Sequence, residues 1–292
     1  MELSKYMRVA IEEAKHSLCE GNNGFGAVII KDQKIIAKAH DQEDTHNDPT
    51  SHAELNAIRS ATRKIGKKLT ECILVSTHEP CPMCATAAVW AGISEIVFGY
   101  SINEAVKQGR KRIGITCEEI FKRSHVDVKI HDQILHHDCE VLYRKDVRAE
   151  IKKLRNADAQ ILCDWNADSI RRRVEWFKNN KDTLDFIHNG QDILIAGYKL
   201  LLTRFRISPA DAPIIKRTDK QIVFHSRNFC PTLEACKILG LDTRRICKKL
   251  NENATDMLLK QIDTRLCFSR NYEKLRPYSE YCEEMISINN NR

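Results

Sequence analysis

His52 and Glu54 lie two residues apart and Cys81 and Cys84 three apart, with 26 residues between Glu54 and Cys81. One imidazole and two thiolates are three of the four donors that a tetrahedral zinc takes, and a catalytic zinc keeps its water at the fourth position. Nitrogen and sulfur donors together suit this borderline-soft ion. A carboxylate two residues from the histidine can take a proton from that water and hand it to a leaving group. The alternative is a structural site closed by a fourth protein ligand, which His78, three residues before Cys81, could supply. Zn2+ is the expected cofactor in either case.

Such donors have to be held by particular elements. Residues 1–20 carry Leu3, Met7, Ala10, Ile11, Ala14 and Leu18 at helical steps, and Gly21-Asn22-Asn23-Gly24 ends that helix. Residues 25–30 and 34–39 read as a hairpin turning at Asp32-Gln33, followed by a polar loop over 41–50. A helix from Ser51 to Gly66 carries His52 and Glu54. A strand over 72–77 leads into Cys81, a helix covers 84–90, and a strand follows over 96–100. Both cysteines then fall at a helix N-terminus, where the backbone dipole favours thiolate over thiol. The order α-β-β-α-β-α-β predicts an α/β fold, a three-layer α/β/α sandwich. Helices over 103–108, 116–123 and 135–145 and a strand over 126–130 complete it, and the charged stretch 148–158 leads to a boundary. The expected domains are 1–152 and 153–292.

Residues 1–150 resemble the cytidine/deoxycytidylate deaminase superfamily, in the branch that holds guanine deaminases, cytosine deaminases and bacterial tRNA adenosine deaminases. The residues that carry the resemblance are Phe25-Gly26-Ala27-Val28, Asn47-Asp48-Pro49-Thr50-Ser51-His52-Ala53-Glu54, Glu79-Pro80-Cys81-Pro82-Met83-Cys84 and Trp90-Ala91-Gly92-Ile93. It implies a cytidine-deaminase-like sandwich and hydrolytic loss of ammonia from a ring amine, with His52, Cys81 and Cys84 on the zinc and Glu54 moving protons. It also implies substrate-binding roles for Phe25, Asp41, Ala53, Pro80 and Trp90, and a homo-oligomer. Two departures stand out. Asp41 occupies the position where this branch usually has an Asn reaching the base or ribose, and an ionised Asp accepts hydrogen bonds but cannot donate them. Gly24 replaces the proline often found before the Phe. The segment Trp90–Ile93 is similar to the guanine deaminase pattern, so the expected substrate is a free nucleobase or nucleoside, guanine- or cytosine-like.

The rest of the chain bounds the alternatives. The 292 residues are 42% hydrophobic and 30% charged with 11 Gly and 7 Pro, a globular composition. No apolar run is long enough for a membrane span. The start has no signal-peptide pattern, and the 12 cysteines then point to a reducing compartment, so a cytoplasmic location is expected. Residues 1–150 hold 21 Lys+Arg against 22 Asp+Glu, while residues 151–292 hold 26 against 18. A basic half can meet a polyanion or simply be a solvated surface.

The second half predicts a mostly helical domain: helices over 168–177, 182–206 (with Gly190 interrupting), 232–239, 243–251, 254–260 and 278–286, and strands at 221–225 and 265–268. Cys230, Cys236, Cys247, Cys267 and Cys282 with His225 match no zinc spacing. Arg171-Arg172-Arg173, Arg204-Phe205-Arg206 and Arg244-Arg245 are either phosphate contacts or surface charge. The second functional reading is therefore a tRNA adenosine-to-inosine deaminase using the basic half to bind tRNA. A third is an inactive zinc-binding module, which the Asp41 departure keeps open.

Overall fold

A computed structural model describes residues 2–188 and 192–289. The chain clusters into two compact units, residues 1–152 and 153–292. The first begins with α1 (Leu3–Glu20), the hairpin β1 (Gly26–Lys31) and β2 (Lys34–His40), a short α2 (Glu43–His46) and α3 (Ala53–Ile65). Then come β3 (Ile73–His78), α4 (Pro82–Ala91), β4 (Glu95–Tyr100), α5 (Ile102–Lys107), α6 (Cys117–Arg123), β5 (Lys129–His131) and α7 (His136–Tyr143). Helix α8 (Lys145–Leu154) carries the chain past the boundary.

The five strands form one mixed sheet in the order β2-β1-β3-β4-β5. Strand β1 is antiparallel to β2 and β3, whereas β3, β4 and β5 run parallel. Parallel neighbours need a crossover, and α4 supplies the one between β3 and β4. Helices cover both faces of the sheet, so its central strands are apolar almost throughout. On one face Ala27, Ile29, Leu74, Ile96 and Phe98 pack under Ala53, Ala57 and Ala61 of α3 and Ala85, Ala88 and Ala91 of α4. Alanine at these positions brings both helix starts close to the sheet. On the other face α1 buries Met7, Ala10, Ile11, Ala14 and Leu18. Gly92, at φ 77°, stops α4 in the left-handed region and turns the chain into β4. This is the three-layer sandwich expected of the first half.

The second unit comprises α9 (Ala159–Asn180), α10 (Asp185–His188), α11 (Ile193–Phe205), β6 (Ile214–Thr218), β7 (Gln221–Ser226), α12 (Pro231–Leu239), α13 (Thr243–Cys247), α14 (Asn253–Leu259), β8 (Leu266–Arg270) and β9 (Cys282–Ile288). More of it is helical than extended. Its core nevertheless rests on a four-stranded antiparallel sheet in the order β6-β7-β9-β8, against which Leu194, Tyr198 and Leu201 of α11 pack.

Two expectations need correction. The helix expected over 278–286 is largely strand β9, hydrogen-bonded on both sides. Its inward positions include Glu284, whose carboxylate meets Arg270 and Ser226, and a charge facing inward hides the two-residue period. The single helix expected over 182–206 is instead broken, because the Asp192 carboxylate accepts from Leu194 N–H at 2.8 Å and starts α11 afresh. Gly190, expected as the interruption, and residues 290–292 of the polar end lie outside the described residues. Among the described residues no helix is long and apolar enough to cross a membrane.

Candidate active site

His52 is the N-cap of α3 with extended backbone, and its ring makes no capping bond. Cys81 is the N-cap of α4, with Pro82 in the first helical position, where a missing N–H costs nothing. Strand β3 ends three residues earlier, so Cys81 and Cys84 stand beyond its carboxyl end, where open parallel sheets place ligands. The three donor atoms converge: His52 Nδ1 lies 3.5 Å from Cys81 Sγ and 3.5 Å from Cys84 Sγ. Zinc–sulfur and zinc–nitrogen bonds of about 2.3 and 2.05 Å at the tetrahedral angle would separate such atoms by about 3.6 Å. The donor set therefore fits zinc in chemistry and spacing. Among the described residues it is the one group of three metal-capable side chains gathered this closely.

The outer contacts favour the same arrangement. Glu43 Oε1 accepts from His52 Nε2 at 2.7 Å, which orients the ring with Nδ1 toward the sulfurs. Asn23 Nδ2 in turn holds Glu43 Oε2 at 2.8 Å. Burial raises the Glu43 carboxyl above its ordinary value, with His52 opposing. Within the thiol pair, the hydrogen bond from Cys84 brings Cys81 down to about 4, against the opposing effect of burial, while Cys84 is held well above its usual range. Burial works to lower His52, but its contact with Cys81 and the Glu54 charge outweigh this and raise it to about 9. A metal must displace the protons that remain on these donors, so affinity falls as pH falls.

Glu54, in the first turn of α3, is 4% exposed, and its Oε2 lies 3.7 Å from Cys84 Sγ. Burial first, then the Cys81 charge, pushes its carboxyl up to about 7. His52, Glu54 and Cys81 open on one cavity of about 310 Å³, at the lower end for small-ligand pockets. Phe25, His78, Ile102, Arg112 and Ile113 also line it. The Arg112 guanidinium lies 4.8 Å from the Phe25 ring centroid.

Other expected site residues are placed elsewhere. Asp41 is fully buried and does not line the cavity; its carboxylate accepts from Ser17 Oγ and from the N–H groups of Asn23 and Phe25, both at 2.8 Å. With those donors satisfied, it positions Phe25 rather than meeting a ligand. Trp90 is 74% exposed near the end of α4, neither cavity wall nor core. Ala53 and Pro80 are buried and do not line the cavity. His78 is not part of the donor group, so the closed four-ligand site is not formed. Its Nδ1–H donates to the Glu79 carbonyl at 2.9 Å, and Phe25, Tyr100 and Tyr143 surround its ring.

Three contributors were not legible beforehand. Glu43 lay in a stretch read as polar loop. Arg112 lay between two short helices with nothing to direct it inward. Glu79, 4% exposed, accepts from Ile102 N–H at 2.9 Å and Cys117 N–H at 2.8 Å, tying α5 and α6 together and thereby the connection that carries Arg112.

Residues 1–100 match the family described as the cytidine and deoxycytidylate deaminase zinc-binding region. Guanine deaminase of Bacillus subtilis is 43% identical over 97 residues, 31% of this chain and 62% of that protein. A tRNA-specific adenosine deaminase of Aquifex aeolicus is 42% identical over 94 residues, 32% of this chain and 62% of its own. A tRNA-specific adenosine deaminase of Buchnera aphidicola is 31% identical over 138 residues, covering 47% of this chain and 87% of that enzyme. A crystal structure of the Bacillus subtilis guanine deaminase aligns at TM-score 0.37 and 37% identity, over 38% of this chain and 73% of that one. The chain belongs to the cytidine and deoxycytidylate deaminase family. It spans about three fifths of the length of the first two relatives.

Proposed function

We propose that this protein is a zinc-dependent hydrolytic deaminase that releases ammonia from a free nucleobase or nucleoside, guanine- or cytosine-like. The observation that carries this reading is that three zinc donors converge at the wall of one cavity large enough for such a ring, with His52, Cys81 and the buried Glu54 carboxylate lining it. His52, Cys81 and Cys84 hold the ion, which supplies the Lewis acidity that makes water a usable nucleophile near neutral pH. Glu54 takes a proton from the water and delivers it to the ring nitrogen as the oxygen adds to the ring carbon, then carries the remaining hydroxyl proton to the departing amine. The carbon–nitrogen bond to the exocyclic amine breaks and a ring carbonyl forms. A carboxyl near 7 suits both halves of this transfer. Phe25, Ile102 and Ile113 offer apolar walls to a planar ring and help exclude water.

The second reading is deamination of adenosine in tRNA. It rests on the basic excess of residues 151–292, 26 Lys+Arg against 18 Asp+Glu. The assay that separates the readings is ammonia release from bases, nucleosides and bulk tRNA by zinc-loaded protein, beside Glu54→Gln. We expect turnover on a small molecule to fall by about 10²–10⁴-fold in the variant, with zinc content unchanged. Inosine appearing in tRNA without small-molecule turnover, and tRNA affinity that drops steeply with salt, would transfer the claim to the second reading. Zinc bound with no turnover on any of them would sink both and leave an inactive module.

A further inference from the structure

The second unit has a partly open cavity of about 280 Å³ lined by three arginines, Arg173, Arg270 and Arg276, but by a single carboxylate residue, Glu284. That carboxylate is committed: Oε1 accepts from Arg270 Nε at 2.7 Å and Oε2 from the Ser226 hydroxyl at 2.9 Å. Arg173 is 8% exposed and bonds to neutral groups, namely the Thr255 hydroxyl at 2.7 Å, the Asn251 carbonyl at 3.3 Å and Asn251 Oδ1 at 3.0 Å. Among the described residues no carboxylate lies within ion-pair distance of it. Arg171 and Arg172 in the same run both pair with Asp168. Arg276 bonds to the backbone carbonyls of Arg227 and Asn228, at 3.0 and 2.8 Å, and its Nε is buried without a partner.

Two positive charges therefore line this space without a carboxylate partner, and Arg173 has only the face of the Phe205 ring, 4.9 Å from its guanidinium, beside its neutral hydrogen-bond partners. A guanidinium cannot escape this by losing its proton near neutral pH, and an unpaired charge away from water is costly. Burial lowers Arg173 only to about 9, so it stays charged. Two further features point inward. Helix α12 begins at this cavity, through Cys230, Pro231 and Thr232, with the positive end of its dipole. Asn251 sits in a single π-helical turn, Lys248–Glu252, a distortion often found at functional sites. Half-buried Phe205 and Phe229 add flat apolar wall.

We propose that this cavity binds a small phosphomonoester, with Arg173 and Arg276 taking the dianionic head and Phe205 and Phe229 the apolar or aromatic body. A phosphomonoester carries a charge of about −1.5 to −2 at neutral pH, which matches the two uncompensated guanidiniums; a lone carboxylate would leave one of them unpaired. Arg forks suit phosphate oxygens in particular.

The test is calorimetric titration of the zinc-loaded full chain with CMP, GMP and AMP, beside their nucleosides, inorganic phosphate and benzoate. At least one monophosphate should bind tenfold or more tightly than its nucleoside and than benzoate. Arg173→Met and Arg276→Gln should each weaken that binding at least tenfold without changing zinc content. Arg173→Met should also leave the unfolding temperature of the ligand-free protein unchanged or raised, because it removes an uncompensated charge. Monophosphates binding no better than nucleosides, or binding equally well in both variants, would overturn the proposal. So would a lower unfolding temperature in Arg173→Met with binding intact, which would make Arg173 a tether between helices.

Discussion

His78 shows how burial sets the behaviour of a single residue. At 3% exposure, with Nδ1–H committed to a carbonyl and Nε2 without a partner, it is held neutral, its pKa pushed down to about 3 chiefly by burial. The unfolded chain binds that proton near the ordinary value of about 6.5. Between these values the unfolded state holds a proton that the folded state excludes, so stability is lost as pH falls, by about 1.4 kcal/mol per pH unit. From pH 7 to pH 5 the loss from this residue is about 2 kcal/mol, and His78→Leu should remove it. Urea midpoints of both proteins at the two pH values measure this; an equal pH difference in both would show that His78 is not buried neutral. Glu43→Gln tests the outer contact of the metal centre: zinc affinity, measured by competition with a chelator, should drop about 10–100-fold. The four residues at the centre were legible in the sequence because zinc and proton transfer demand those residue types at short spacings. Glu43, Arg112 and Glu79 were not, because their roles depend on where a loop brings them. Asp41 and Trp90 were assigned to a ligand on resemblance, yet which way a side chain faces depends on packing that spacing does not encode.

At the scale of elements, the contact of α1 with β1 sets the sheet face opposite the metal centre. A Cβ on Gly26 would lie 1.9 Å from the Ala10 carbonyl oxygen and 2.6 Å from Ala14 N, both backbone atoms of α1. Backbone cannot rotate away as a side chain can, so Gly26→Ala must push the helix off the sheet. We expect a loss of about 3 kcal/mol in denaturant unfolding, the upper range for overpacking. Gly114→Ala, with nothing within 4 Å of its Cβ, should stay within about 0.5 kcal/mol of the parent. Most of the first unit was readable because α1 and α3 keep a helical period, α1, α3 and α4 end at glycine, and the central strands are short apolar runs. In the second unit β6 escaped notice: all five of its residues are exposed, so it carries no alternation between apolar and polar. Strand β9 escaped because Glu284 occupies an inward position that only its partner Arg270 makes tolerable.

At the scale of the molecule, each unit has its own apolar core: Ala27, Leu74, Ile96 and Phe121 belong to one, and Leu194, Phe224, Leu258 and Ile286 to the other. Cooperative unfolding follows shared cores, so calorimetry should resolve two transitions. The metal donors all come from residues 52–84, so zinc should stabilise the first unit alone. An ion present at a thousandfold over its dissociation constant contributes about 4 kcal/mol to the state that binds it. For a unit of this size, chelation should lower one transition by on the order of 10 °C and leave the other in place. Acidification should produce the same selective shift, because protons compete for the thiolates and the imidazole. A single transition that moves as a whole on chelation would mean that the two cores unfold as one, and the boundary near residue 152 would then mark a bend in the chain rather than the edge of a domain.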